Sequence, residues 1–250
     1  MTDPIARQPH AALDPAGRRP KADKIIRLLD LSGAPHRTLR LLEIGTGAGV
    51  ISHHLACHSG LACEVDAVDV VDQRQVSDGY RFQLVEGTAL PFKDESFDAV
   101  ISNHVLEHVG ENEEQISHLA EMRRVMRTGA VAYLATPSRW QIVEPHFKVA
   151  FLSWLPKGLR TPYLRWRGKG SCYDCEPLSR RQLEALLSTA GFVHRNLCAR
   201  AIRVMREVEP RPSLALRMAA ALPEWLMQGL ASFSPTHVYR LSRTPQVDPA

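Results

Sequence analysis

The sequence predicts an α/β fold, a doubly wound and mostly parallel sheet, and three observations carry that expectation. Short runs rich in valine and leucine alternate with segments of helical period, the pattern of a parallel sheet covered on both faces. The first such run opens directly into a glycine-rich turn, "LLEIGTGAGV" at residues 41–50. A chain of 250 residues that is 44% hydrophobic and 23% charged can bury one core and carry an appended lid.

Taken in order, "KADKIIRLLDL" (21–31) places Ile25, Ile26, Leu28 and Leu29 on one face of a short amphipathic helix. "TLRLLEI" (38–44) reads as the first strand, the turn opens a helix from Ala48 to about His58, and "EVDAVDV" (64–70) is the second strand, which completes a βαβ unit. "RFQLVEG" (81–87), "SFDAVIS" (96–102) and "AVAYLAT" (130–136) are further strands. Between the last two, "NEEQISHLAEMRRVM" (112–126) has Ile116, Leu119, Met122, Arg123 and Met126 at helical spacing. No internal repeat is visible.

Residues 1–20, rich in Pro, Ala and Arg, read as a disordered arm, and residues 21–250 as one domain. The arm lacks the apolar stretch of a signal peptide. No run reaches the roughly 18 apolar residues of a membrane span, because Arg217, Pro223 and Glu224 interrupt the most apolar late segment. An odd count of five cysteines points to a reducing compartment, hence a cytoplasmic protein, with Cys172 and Cys175 of the C-x-x-C read as unpaired thiols. The net charge of +4 is too small to imply nucleic acid by itself.

Glycines after a strand allow a tight turn and bring backbone N–H groups close to a ligand. A dinucleotide fold would want its third glycine at position 50, which is Val50. The spacing here is Gly45, Gly47, Gly49, preceded by Glu43. That E-x-G-x-G-x-G stretch resembles motif I of the class I S-adenosylmethionine-dependent methyltransferases. Asp69 stands 20 residues after Gly49, where a carboxylate accepts ribose hydroxyls. "EGTALPFKDESFDAVISNHVLEHV" (86–109) and "EMRRVMRTGAVAYLATPSRW" (121–140) resemble the type 11 family of those enzymes, with weaker traces in "LSRRQLEALLSTAGF" (178–192) and "SPTHVYRL" (234–241).

The resemblance implies a seven-stranded Rossmann-like sheet whose last strand is antiparallel. It also implies S-adenosyl-L-methionine as cofactor, with Glu43, Gly45, Thr46, Gly47 and Gly49 around the methionine end. Asp69 then takes the ribose, Thr88 and Ala89 flank the adenine, and Asn103 lies near the methionine amino group. Thr88 stands where the family often has Asp. "RTGA" (127–130) replaces its Lys-Pro-Gly-Gly turn, with Gly129 kept where positive φ is needed.

The implied chemistry is in-line displacement at a sulfonium methyl, for which alignment can supply about 7 to 11 kcal/mol. His108 and His104 follow the fourth strand, and their unperturbed pKa suits a base near neutrality. With Glu107 they would share one face of a helix at i, i+3 and i+4, similar to the Glu-x-x-Glu-His run of quinone-pathway O-methyltransferases. His104 replaces the first Glu, and no metal is assigned.

Residues 137–177 have no clear periodicity and read as a lid insertion that selects the acceptor. It carries Lys157, Arg160, Arg165, Arg167 and Lys169 among Phe151, Trp154, Tyr163 and Trp166. His146 is a further candidate base there, with Tyr163 and Tyr173 as candidate acceptor contacts. Residues 204–234 form a second, apolar insertion that could cap the pocket, pair with another subunit or lie at a membrane interface.

The sequence therefore points to methyl transfer, to oxygen, of a small-molecule or glycan/lipid-linked acceptor, by a monomer or homodimer. Peripheral contact with the inner membrane surface is left open. RNA ribose or protein methylation and a noncatalytic cofactor-binding module are the alternatives. Neither an Asn/Asp-Pro-Pro-aromatic nor a Pro-Cys motif is present, which disfavours base methylation and sequence-specific DNA binding.

Overall fold

The computed structural model describes residues 19–33, 37–231 and 234–243. The expected disordered arm thus lies outside the described residues, except that Arg19 and Pro20 already belong to the first helix, α1 (Arg19–Leu29). There follow β1 (Leu39–Ile44), α2 (Val50–Ala56), β2 (Cys63–Asp69), β3 (Arg81–Leu84), β4 (Phe97–Asn103), α3 (Asn112–Val125) and β5 (Met126–Pro137). Residues 137–177, between β5 and the next helix, contribute β6 (Val143–Glu144), β7 (Val149–Ala150) and α4 (Lys157–Trp166). The described residues end with α5 (Arg180–Thr189), β8 (Val193–Asn196), α6 (Cys198–Val208), α7 (Leu214–Ala221), α8 (Glu224–Leu230) and β9 (Thr236–Ser242).

Seven strands form one sheet in the order β3-β2-β1-β4-β5-β9-β8. β1 to β5 run parallel, and β9 is antiparallel to both of its neighbours. The strand order reverses between β1 and β4, so a crevice opens beyond their carboxyl ends. Successive residues of β1 feed opposite faces, as the pleat requires. Leu41 packs with Ile25 and Leu28 of α1, Ile51 and Leu55 of α2 and Val204 of α6. Leu42 packs with Leu119 and Met122 of α3 and Leu183 and Leu187 of α5. Helix α5 is held at its start by a capping box between Ser179 and Gln182.

Two boundaries differ from the sequence expectation. The 130–136 strand begins at Met126, directly after α3. Phe97 faces Met126 while Ala99 faces Val131, so the RTGA segment bulges out of the ladder around Gly129, whose φ is 80°. An insertion that starts at residue 204 would cut α6 (Cys198–Val208). That helix buries Cys198, Ala199, Ala201 and Val204 and belongs to the core layer.

The amino edge of the sheet is pinned by ion pairs. Asp66 takes Arg81 at 2.7 Å and Arg40 at 2.9 Å. Asp98 takes Arg37 at 2.8 Å, Arg127 at 3.0 Å and the Arg40 amide at 2.8 Å. Burial works to raise both carboxyls, but the arginines outweigh it and hold them below the usual carboxylate range.

Candidate active site

The three motif glycines all adopt positive φ: 80° at Gly45, 54° at Gly47 and 81° at Gly49. Gly45 also has no room for a side chain, since a Cβ would stand 2.3 Å from Val105 Cγ2 in the loop after β4. The turn is tied to the end of β2. Gly45 and Thr46 amides donate to the Val68 carbonyl at 2.8 and 3.3 Å, and the Gly47 amide donates to Asp69 Oδ2 at 2.8 Å. Asp69 Oδ1 accepts from the Val70 amide at 2.8 Å. Glu43 is 1% exposed and accepts from the Ser52 hydroxyl of α2. Glu43, Gly45, Thr46, Gly47, Gly49 and Asp69 therefore form one constellation at the carboxyl ends of β1 and β2.

Asn103 ends β4, half-buried and opposite Ala135 of β5. Thr88 and Ala89 lie in the loop after β3, but the Thr88 hydroxyl is engaged with Ser117 of α3 at 2.8 Å. Glu86, two residues earlier, is exposed and lines a shallow cavity of about 320 Å³ with Leu84, Val85, Ala89, Leu90 and Pro91. Sequence reasoning passed over Glu86, although an acid just past the third strand was the available signal. Arg124 fastens this loop by donating to the Leu90 and Phe92 carbonyls at 2.9 and 2.7 Å, and it pairs with Glu121, which accepts from the Leu90 amide.

Beyond β4 the expected i, i+3, i+4 helical face does not form as an α-helix. His104 has φ 60° and only Leu106–His108 make a 3-10 turn, because the His104 amide is held by the Ala135 carbonyl at 2.8 Å. The side chains still converge on Glu107, which is 1% exposed. Its Oε2 accepts from Thr136 at 3.1 Å. Its Oε1 lies 3.3 Å from His104 Nδ1 and 3.9 Å from His108 Nε2. Burial would raise this carboxyl, yet the two histidines hold it low. Behind it His118, buried in α3, meets the Ser102 hydroxyl at 3.1 Å, and burial pushes its pKa down to about 4.

Residues 137–177 bring a third histidine to this place. The rings of His108 and His146 are 4.7 Å apart between centroids, inclined at 75°, and His108 Nδ1 is 3.7 Å from Cys175 Sγ. Residues 137–177 carry their own small core of Phe147, Val149, Leu152, Leu164 and Cys175. Burial first, then Glu144, Asp174 and Glu107, pushes the Cys175 thiol up. Tyr173 packs on Phe147, and its buried hydroxyl has no hydrogen-bond partner among the described residues. Tyr163 instead donates to the Ala150 carbonyl at 3.3 Å, inside the insertion and apart from the histidines. Exposed Trp154, Leu159 and Trp166 mark its outer surface.

The comparisons with known proteins agree with this geometry. Residues 42–134 match the family model of a methyltransferase domain, type 11. The ubiquinone biosynthesis O-methyltransferase of Bartonella quintana is 30% identical over 138 residues, 50% of this chain and 53% of that protein. The mitochondrial ubiquinone biosynthesis O-methyltransferase of Arabidopsis thaliana is 27% identical over 180 residues, 68% of this chain and 54% of that protein. The chain thus spans about half the length of these relatives. Among solved structures, the CurJ carbon methyltransferase superposes with a TM-score of 0.55 at 18% identity, covering 91% of this chain and 54% of that one. An S-adenosylmethionine-dependent methyltransferase from Aquifex aeolicus gives 0.51 at 16% identity, covering 74% and 87%. These likenesses establish the fold, and residues 42–134, which contain the glycine turn and Asp69, are similar to the type 11 methyltransferase domain and to S-adenosylmethionine-dependent methyltransferases.

Proposed function

We propose that the protein transfers a methyl group from S-adenosylmethionine to an oxygen of a small-molecule or lipid-linked acceptor. The observation that carries this reading is the closed turn at the strand-order reversal, where Gly47 and Asp69 are joined at 2.8 Å. Asp69 oxygens each hold a short backbone bond and keep lone pairs for two ribose hydroxyls, since a carboxylate accepts about four bonds. Glu86, exposed beside Ala89 in the cavity after β3, is a further acceptor for the adenine amino group, next to the Thr88 hydroxyl that already meets Ser117. Bound, the sulfonium supplies a methyl group already activated for displacement.

The chain then has to align the acceptor, exclude water and take one proton. Residues 137–177 serve as the lid, placing His146 against His108 beyond β4. His104, His108 and His146 are the groups that can accept the proton, and buried Glu107 orients and stabilises the first two when charged. The relatives named as O-methyltransferases support oxygen as the target. An acceptor with an apolar tail suits the exposed Phe151, Trp154 and Trp166 of the insertion, beside Lys157 and Arg165. Among the described residues no helix is long and apolar enough to cross a membrane.

The test is calorimetric titration with S-adenosylhomocysteine, with Asp69→Ala and with NAD as controls. Binding that Asp69→Ala weakens at least tenfold, about 1.4 kcal/mol, is expected. Folded protein that ignores S-adenosylhomocysteine, or that takes NAD instead, overturns the reading.

A further inference from the structure

Three side chains that bind soft or borderline metals meet at one point although they are far apart in sequence. His108 comes from the turn after β4, His146 from the β6–β7 loop, and Cys175 from the end of the insertion. Their ligand atoms all lie within 4.8 Å of one another. A tetrahedral zinc ion with bonds of about 2.3 Å to sulfur and about 2.0 to 2.1 Å to nitrogen holds its S and N ligands about 3.6 Å apart. His108 Nδ1 and Cys175 Sγ are 3.7 Å apart, so this edge of the tetrahedron is already formed.

A second observation points the same way. His108 turns Nδ1 to the cysteine and Nε2 to Glu107, whose buried Oε1 is 3.9 Å away and is shared with His104 Nδ1 at 3.3 Å. Histidines that ligate through one nitrogen commonly give the other N–H to a carboxylate, which fixes tautomer and ring orientation. The Cys175 thiol lies 3.7 Å from an Asp174 carboxylate oxygen, beside the buried Glu107.

We infer that His108, His146 and Cys175 bind one zinc-class divalent cation, which clasps the insertion to the loop after β4 and leaves one coordination position open. One thiolate and two imidazoles favour zinc over magnesium or calcium, which want oxygen ligands. Three protein ligands with an open fourth place is the arrangement of reactive rather than purely structural zinc. An ion held there removes His108 and His146 from the set of proton acceptors and leaves His104. The ion site stands on these contacts alone and does not require the methyl-transfer reading.

Tag-free full-length protein, purified under reduction and stripped with a chelator, is titrated with Zn²⁺ and, separately, with Co²⁺ as a spectroscopic probe. One equivalent per chain is expected, with a sulfur-to-cobalt charge-transfer band and ligand-field bands of tetrahedral intensity. Cys175→Ser should abolish the charge-transfer band, His146→Asn should weaken Zn²⁺ binding at least tenfold, and Cys172→Ser should change neither. Circular dichroism checks the folding of each variant. If the buried Cys175→Ser fails to fold, His146→Asn decides alone. Substoichiometric Zn²⁺, a cobalt spectrum without sulfur charge transfer, or unaltered binding by folded His146→Asn overturns the site. S-adenosylhomocysteine titrated into the same samples separates the two ideas, since protein that binds it but no metal refutes only the ion.

Discussion

Replacing Gly49 by alanine tests whether the glycine turn is required by backbone geometry or by close approach. At φ 81° an L-residue costs about 1 to 2 kcal/mol. The added Cβ would also stand 2.1 Å from the Val76 carbonyl oxygen and 2.3 Å from the Tyr80 hydroxyl, so the loop before β3 must move by more than an ångström. That loop is held by Gln75 and Val76 amides donating to the Ala48 carbonyl at 3.0 and 3.1 Å, and by the Tyr80 hydroxyl donating to Val76 at 2.6 Å. Losing two or three such bonds at about 1 kcal/mol each brings the total to about 3 to 5 kcal/mol, a large share of a typical stability of about 5 to 15 kcal/mol. Gly129 is the matched control: its φ is 80°, but a Cβ there meets nothing within 4 Å. Gly129→Ala should therefore cost only the backbone strain, about 1 to 2 kcal/mol. Urea unfolding of both variants measures the difference, expected at about 2 to 3 kcal/mol, and titration with S-adenosylhomocysteine should show weakened binding for Gly49→Ala alone. Two variants that unfold within about 0.5 kcal/mol of each other would refute the close-approach argument.

Stability should fall on mild acidification, because buried His118 and His237 are both pushed down to about 4. Below the unfolded value near 6.5 the unfolded chain binds protons that the folded chain refuses, so the contribution is whole above that pH and drains away toward pH 4. At pH 5 the loss is about 2 kcal/mol per histidine. Urea midpoints at pH 7.5 and 5.0 measure it, and His118→Gln should remove about half the difference; a flat profile rejects this account. Asp66 and Asp98, held low by arginines, add their loss in a separate window, as pH falls below the unfolded carboxylate value near 3.9. Arg124→Met frees the loop that carries Leu90 and Phe92, and the expected results are faster proteolysis there and a severalfold weaker grip on S-adenosylhomocysteine; unchanged cleavage at 86–92 would contradict that role. Ser179→Ala removes a capping box and should lower stability by about 1 kcal/mol, with ligand binding intact.

What the sequence disclosed and what it hid divide along physical lines. β1, β2 and β4 were legible because a buried parallel strand must be a dense apolar run, and the interval from Gly49 to Asp69 was legible because one βαβ unit fixes it. β8 was missed: its four residues lie next to β9 at the edge of the sheet and are half-exposed, so the apolar run that marks the other strands is absent. α6 was hidden because it starts two residues after that strand, with no glycine or proline to announce it. Residues 137–177 looked structureless because two-residue strands and a core of five side chains leave no period to detect. The meeting of His108, His146 and Cys175 could not be read at all, since only tertiary packing brings together positions 38 and 29 residues apart. The histidine-glutamate face after β4 was anticipated as part of a helix, whereas a left-handed His104 and a single 3-10 turn deliver it.

The two edges of the sheet use their acids differently, and the difference explains why one edge holds structure and the other can hold a ligand. At the amino edge, Asp66 and Asp98 are each matched by two or more arginine contacts, so their charge is satisfied within the chain. At the carboxyl edge Asp69 accepts instead from neutral donors, the amides of Gly47 and Val70. Dipolar donors fix a carboxylate's position and reduce its proton affinity without cancelling its charge. A cationic cosubstrate, or a divalent ion, entering the crevice then meets negative charge already held in place, so less reorganisation is needed when it binds. Lengthening the sequence's apolar runs could not produce this asymmetry, which depends on which donors meet each acid.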